Sequence, residues 1–313
     1  METRELGKTG IRVTAAGLGC GGHSRIGQSA GKSAAESAAI VKQALAAGVG
    51  LVDTAEAYGT EEMVGEALSR TDRNAVVLST KGSIRTDGRL KDAAALRASL
   101  EASLRRLRTD HTDIYHLHGV APDDYGYCRS ELVPAMQAWK REGIIRCIGI
   151  TEAFASDPGH RTLSRAVGDD CWDVMMVGFN LVNQSARERV LRRAAEKGIG
   201  ILDMFAVRRA LISPRMLAGY LERLAAAGQV DAERFDLDNP LADMLERGGY
   251  AGLTELAYRF CLAEPGISTV LVGTGNPDHL AQNLADLAKG PLPGPDRALL
   301  MELFARVDSE SGN

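Results

Sequence analysis

The stretch "LVDTAEAYGTEEMVG", residues 51 to 65, sets an aspartate directly after two apolar residues of strand type and a tyrosine five positions later, just before a glycine. Asp53 would close a buried strand, and desolvating a carboxylate there costs several kcal/mol unless a partner stands beside it. The stretch therefore predicts a strand that ends in a charge, and a cationic group elsewhere in the chain that meets it.

Outward from this stretch, short apolar runs recur along the chain. They are "AAGLG" (15–19), "LVDT" (51–54), "AVVLST" (75–80), "DIYHLH" (113–118), "IIRCIGI" (144–150), "DVMMVGF" (173–179), "GILDMF" (200–205) and "STVLVG" (268–273). Helix-like segments rich in Ala and Leu lie between them, among them "SAAESAAIVKQALAAG" and "SARERVLRRAAEKG". Several open on Ser, Thr or Asp and some close near Gly, as capping chemistry prefers. Eight buried strands, each followed by a helix, predict an α/β fold of the closed (β/α)8 TIM-barrel type, with 1–313 as one domain. An eight-stranded doubly wound sheet is the alternative. "RELGKTGIRV" (4–13) predicts an N-terminal β-hairpin that plugs the barrel floor. Residues 208–252 form a long insertion after strand seven, expected over the active face.

The 313 residues are 45% hydrophobic and 25% charged with a formal net charge of −4, a balance that attracts neither nucleic acid nor a membrane surface. Five scattered cysteines without CxxC spacing argue against a disulfide framework or a thiolate zinc site. A reducing, cytoplasmic setting is expected. The start, "METRELGKTGIRV", has no apolar leader region, and no uncharged apolar run approaches the ~18 residues of a membrane span.

In such a barrel the chemistry sits at the C-terminal strand ends. Asp53 closes strand two, Lys81 strand three and His118 strand four, while Tyr58 follows in the loop after strand two. A tyrosine of pKa about 10 is a poor acid at neutral pH, and an adjacent ammonium is expected to lower that value. Asp53 would keep the Lys81 ammonium charged and oriented, and His118 would hold a substrate oxygen. The group moves a proton but no electrons, so it needs a hydride donor. His116 and His118 lie two apart and share a strand face, the H-x-H spacing of barrel metallohydrolases. Metal-dependent hydrolysis is therefore the rival chemistry. The other histidines sit in loops or helices, so His116 is read as a buried polar residue below the site.

At these residues the chain resembles the aldo-keto reductases, in their aryl-alcohol-dehydrogenase-like branch. The resemblance rests on "GVGLVDTAEAYG", "LSTKG", "TDIYHLHG" and "VLVGTGNPDHLAQNL", in that order over nearly the whole chain. It implies a catalytic tetrad of Asp53, Tyr58, Lys81 and His118. It further implies hydride transfer from a nicotinamide to an aldehyde or ketone, with Tyr58 as the acid. The implied cofactor is NADP(H), with NAD(H) as the alternative, and the implied partner is a small carbonyl compound.

The resemblance also assigns cofactor contacts. Thr151 of "GITE" keeps the hydroxyl of the usual Ser-Asn pair, while Glu152 replaces the amide and would accept from the carboxamide. Met176 replaces a glutamine, and Asn180 keeps its place. Either Met204 or Phe205 covers the nicotinamide. Val207, Arg208 and Arg209 approach the pyrophosphate, and Gly21 and Gly22 admit the cofactor's backbone approach, with Asp53 beside it and His23 at the pocket mouth. Gly273, Thr274 and Asn276 fall near the adenosine phosphate, and Gln282 and Asn283 on the adenine. His279 stands where many NADPH-dependent members carry arginine. Tyr125 and Tyr127 are candidate pocket walls. The altered nicotinamide pocket leaves one further reading, a nucleotide-binding regulatory barrel without turnover.

Overall fold

The computed structural model describes residues 1–313. Eight parallel strands form a closed barrel in chain order: β1 (Ala16–Gly19), β2 (Leu51–Asp53), β3 (Val77–Ser83), β4 (Thr112–Val120), β5 (Ile145–Glu152), β6 (Val174–Gly178), β7 (Gly200–Met204) and β8 (Thr269–Val272). All eight expected runs are strands, with boundaries moved by a few residues. Closure through Val270–Ala16, Leu271–Gly17 and Val272–Leu18 rules out the open doubly wound sheet.

The period of two along each strand sorts side chains between two cores. On β4, Ile114 joins Leu51, Cys147, Val174, Met176, Leu202 and Leu271 inside the barrel. Tyr115 and Leu117 instead pack outward under the helices. His116 and His118 therefore share the inward face with Ile114. At the floor, Thr3–Glu5 and Arg12–Thr14 pair antiparallel, and Leu6, Ile11 and Val13 fill the bottom of the inner core. The expected plug is present.

Helix starts follow local chemistry. Ser33 Oγ accepts from the Glu36 amide at 3.3 Å while the Glu36 carboxylate accepts from the Ser33 amide at 2.8 Å, opening the helix Ala34–Ala46. Such a cap is worth about 1 kcal/mol. No helix is long and apolar enough to cross a membrane.

The insertion carries helices Pro214–Ala226 and Ala242–Gly248. It packs against the segment Gly294–Leu303 and beyond, through Arg234–Glu302, Tyr250–Asp296 and the rings of Phe235 and Phe304. Residues 309–312 then return to the loops after β6 and β7, where Ser311 and Gly312 are buried.

Candidate active site

Asp53 meets its cation. Lys81 Nζ lies 2.6 Å from Asp53 Oδ2 and also donates to the Thr54 carbonyl at 2.7 Å, while Ser79 Oγ donates to Asp53 Oδ1 at 2.7 Å. Lys81 is fully buried, so the carboxylate and the two further hydrogen bonds are what make the charge tolerable. The turn Glu56–Tyr58 brings the Tyr58 ring to 4.8 Å from Lys81 Nζ. Tyr58 Oη stands 3.4 Å from His118 Nε2, with the two rings edge-on at 87°. The four residues named from the sequence thus converge at the ends of three adjacent strands.

Their electrostatics differ from the sequence expectation in one respect. Burial pushes the Tyr58 phenol up, Lys81 pulls it back and Asp53 adds to the rise, and the net lies above the ordinary value rather than below it. Burial pulls the Lys81 ammonium down, but Asp53 and Tyr58 push it up and prevail, so it stays charged. Burial and the Lys81 charge hold His118 down to about 3. It is a neutral imidazole at physiological pH. His116, one layer below, is likewise held well down by burial and Lys81, and neither ring nitrogen has a partner. A β-carbon at Gly149 would lie 2.2 Å from its ring, so a glycine is required there.

A collar the sequence did not disclose ties the loops after β2, β3 and β4 together. Glu56 Oε1 accepts from the Ser83 amide at 2.7 Å and from Lys91 Nζ at 2.9 Å, pinning the Tyr58 turn to β3. A ribbon, Arg85–Thr86 with Arg89–Leu90, extends β3. Arg85 grips Asp124 in the loop after β4 with two nitrogens at 3.1 and 2.6 Å. Tyr127, half-buried, donates to the Lys91 carbonyl at 3.1 Å. It braces the collar. Tyr125 is fully buried in the helix layer, donates to Asp169 and accepts from Trp172 Nε1 at 3.2 Å, so it is no pocket wall. The nearness of Glu56 to Tyr58 in sequence was the available signal.

The residues expected around a cofactor divide. Gly21 lies against the Tyr58 ring, whereas Gly22 is open, with nothing near a would-be β-carbon. Thr151 is buried and its hydroxyl accepts the Gly119 amide at 2.7 Å, keeping its own proton to give. Glu152 is not free to take a carboxamide: it pairs with His160 Nδ1 at 2.9 Å and accepts the Gly178 amide at 2.9 Å. Asn180 is spent as well. Its oxygen accepts from Val182 and Asn183, and its nitrogen donates to the carbonyls of Phe205 and Ser311. Two donors and two acceptor sites are all an asparagine has.

At the end of β7, Met204 packs onto the inner core. Phe205, at φ 69°, lies near-parallel to Phe154 at 17° and beneath the Arg208 guanidinium at 4.1 Å. Val207 is half-buried against the outer core, and Arg209 is exposed. After β8, Gly273 is exposed and Thr274 is buried, its hydroxyl accepting the Asn276 amide at 3.1 Å. Asn276 caps the helix Pro277–Ala288 by accepting from Asp278 and His279. His279 and Gln282 are exposed on that helix, Gln282 donates to Asp286, and Asn283 is buried.

His116 and His118 share a face as expected, but no group of three His, Cys, Asp or Glu side chains is gathered in a way that could hold an ion. The metal reading lacks its ligand set. The family model described as "Aldo/keto reductase family" matches residues 17–302. The chain belongs to that family.

It is similar to L-galactose dehydrogenase of Arabidopsis thaliana, at 29% identity over 98% of the chain and 95% of that protein. An uncharacterized oxidoreductase of Bacillus subtilis shares 26% identity over 91% of the chain and 90% of its own length. The holo form of an aldo-keto reductase from Bacillus halodurans has the same fold, with a TM-score of 0.76, 24% identity and 99% of both chains covered. Aldo-keto reductases are oxidoreductases that use nicotinamide cofactors. Several features of this member fit such a dinucleotide: the capped N-terminus of a 12-residue helix beside exposed Gly273, open backbone at Gly22, and a half-buried Arg208 whose Nε has no partner.

Proposed function

We propose that this aldo-keto reductase reduces an aldehyde or ketone to the alcohol, with NADP(H) as the favoured cofactor and Tyr58 as the acid. The observation that carries the reading is the Tyr58 hydroxyl 3.4 Å from a neutral His118, with the Tyr58 ring 4.8 Å from the ammonium of a buried, Asp53-bound Lys81. The bound dinucleotide supplies the hydride to the carbonyl carbon. His118 orients the carbonyl by donating to its oxygen, which leaves that oxygen within reach of the phenol. As negative charge gathers on the oxygen, Tyr58 gives up its proton, and the Lys81 ammonium stabilises the phenolate left behind. In alcohol oxidation the same phenolate takes the proton back.

Thr151 keeps a proton to donate toward the carboxamide oxygen, and Met204, at the C-terminal end of β7, is turned toward the barrel axis as Leu202 is. His279, exposed on the helix after β8, offers a ring N–H to a ribose 2′-phosphate. The test is the loss of nicotinamide absorbance when aldehydes are added to the protein with NADPH, repeated with NADH. Turnover that survives chelator and falls by a factor of order 10² in Tyr58→Phe supports the reading. No turnover with any carbonyl in the wild type, or equal turnover in the variant, overturns it.

A further inference from the structure

Every other partly buried arginine of the chain is ion-paired with a carboxylate, but Arg208 is not. Its Nη2 donates to Ser311 Oγ at 3.2 Å, its guanidinium stacks 4.1 Å from the Phe205 ring centre, and its Nε is buried without a partner. A cation withdrawn from water without an anion is costly, so its place in the fold calls for a negative ligand.

The segment that holds it is itself fixed from two sides. Asn183 donates to the Glu310 carbonyl at 2.8 Å and Asn180 to that of Ser311 at 3.3 Å, both from the loop after β6. From the loop after β7, the Ala210 amide donates to the Gly312 carbonyl at 3.0 Å. Gly312 turns at φ 88°, and a β-carbon there would press on Arg208 at 3.3 Å. The neighbouring strand, β8, leads into the helix that opens at Asn276, a second feature receptive to anions. Two such features on adjacent strand ends suit a ligand carrying more than one negative group.

We infer that Ser311 is a positioning residue for the cofactor: it holds Arg208 so that the guanidinium receives the dinucleotide's diphosphate, making cofactor affinity depend on residues 310–312. The inference rests on the proposed function. Binding of NADP+ by isothermal titration tests it apart from activity. Ser311→Ala, which removes one hydroxyl, is expected to raise Kd about tenfold, the scale of a hydrogen bond to a charged group. Ser311→Thr, which keeps the hydroxyl, should return Kd to within about twofold of the wild type by the same reasoning. Arg208→Ala should weaken binding at least as much, and the double variant Arg208→Ala/Ser311→Ala should bind no worse than Arg208→Ala alone. In turnover the loss should fall more on KM for the cofactor than on kcat. A Kd unchanged in Ser311→Ala, or a loss that adds in full to that of Arg208→Ala, overturns the inference. A wild type that binds neither NADP+ nor NAD+ would instead overturn the proposed function.

Discussion

Gly21 lies directly against the ring of Tyr58, so closely that a β-carbon built on it would stand 2.3 Å from the ring. The phenol has little room to retreat, because Lys81 and His118 occupy its other contacts. Gly21→Ala should therefore displace the hydroxyl without unfolding the barrel. A shift of about 1 Å is enough to lower kcat by up to about 10²-fold. Steady-state kinetics beside a thermal melt would check it, and an unchanged kcat would mean that the ring relaxes at no cost.

The pH profile of carbonyl reduction should be flat where a free histidine would titrate. Burial and Lys81 hold His118 at about 3, so the imidazole is neutral across the working range. Tyr58 lies above its ordinary value, so its acid form persists well into the alkaline range, and kcat should fall only as that proton is lost. A transition in kcat near pH 6.5 that disappears in His118→Asn would contradict the neutral imidazole.

The pair Lys81–Asp53 is buried with side chains 0% and 4% exposed. Removing one member strands the other charge, and Lys81→Met is expected to cost about 3–5 kcal/mol of stability. Asp53→Asn combined with Lys81→Met should recover much of that loss, since no unpaired charge remains. Urea midpoints of the two variants give the comparison. A double variant no more stable than Lys81→Met would show that packing, not charge, sets the cost.

Legibility in the sequence followed the distance between partners. The strands were readable because parallel strands buried on both faces are runs of apolar residues, as "DVMMVGF" and "STVLVG" are. Asp53, Tyr58, Lys81 and His118 were readable because each sits at a strand end or one loop beyond it. Glu152 was misjudged as a free acceptor because its partner His160 lies eight residues on, in a left-handed turn that no local pattern marks. Asn180 and Arg208 were harder still. They share a partner, Ser311, that is more than 100 residues away from each and meets them only after the barrel closes. The Tyr58 shift was reversed because burial, which a sequence does not quantify, outweighs the Lys81 charge.

Asp203 is the carboxyl group for which the fold offers least. On β7 it points away from the barrel axis, it is fully buried, and neither oxygen has a hydrogen-bond partner. Its neighbours are engaged elsewhere, Cys261 Sγ with the Phe179 carbonyl at 3.6 Å and the Phe179 amide with the Met204 carbonyl at 3.3 Å. Burial therefore pushes Asp203 well up, and the folded protein keeps it as the acid. In the unfolded chain it ionises near the usual value of about 3.9. The native state thus binds the extra proton, and the stability this group allows is complete below that value and lost as pH rises toward the folded one. Asp203→Asn cannot ionise and should not share the loss. Its stability relative to wild type should grow above about pH 4 by up to about 1.4 kcal/mol per pH unit, the linkage of one proton. Urea unfolding of both proteins between about pH 5 and pH 8 measures the difference, with all other titrating groups cancelling. Parallel curves over that window would show that Asp203 is ionised in the folded state, and that a partner for it forms in solution.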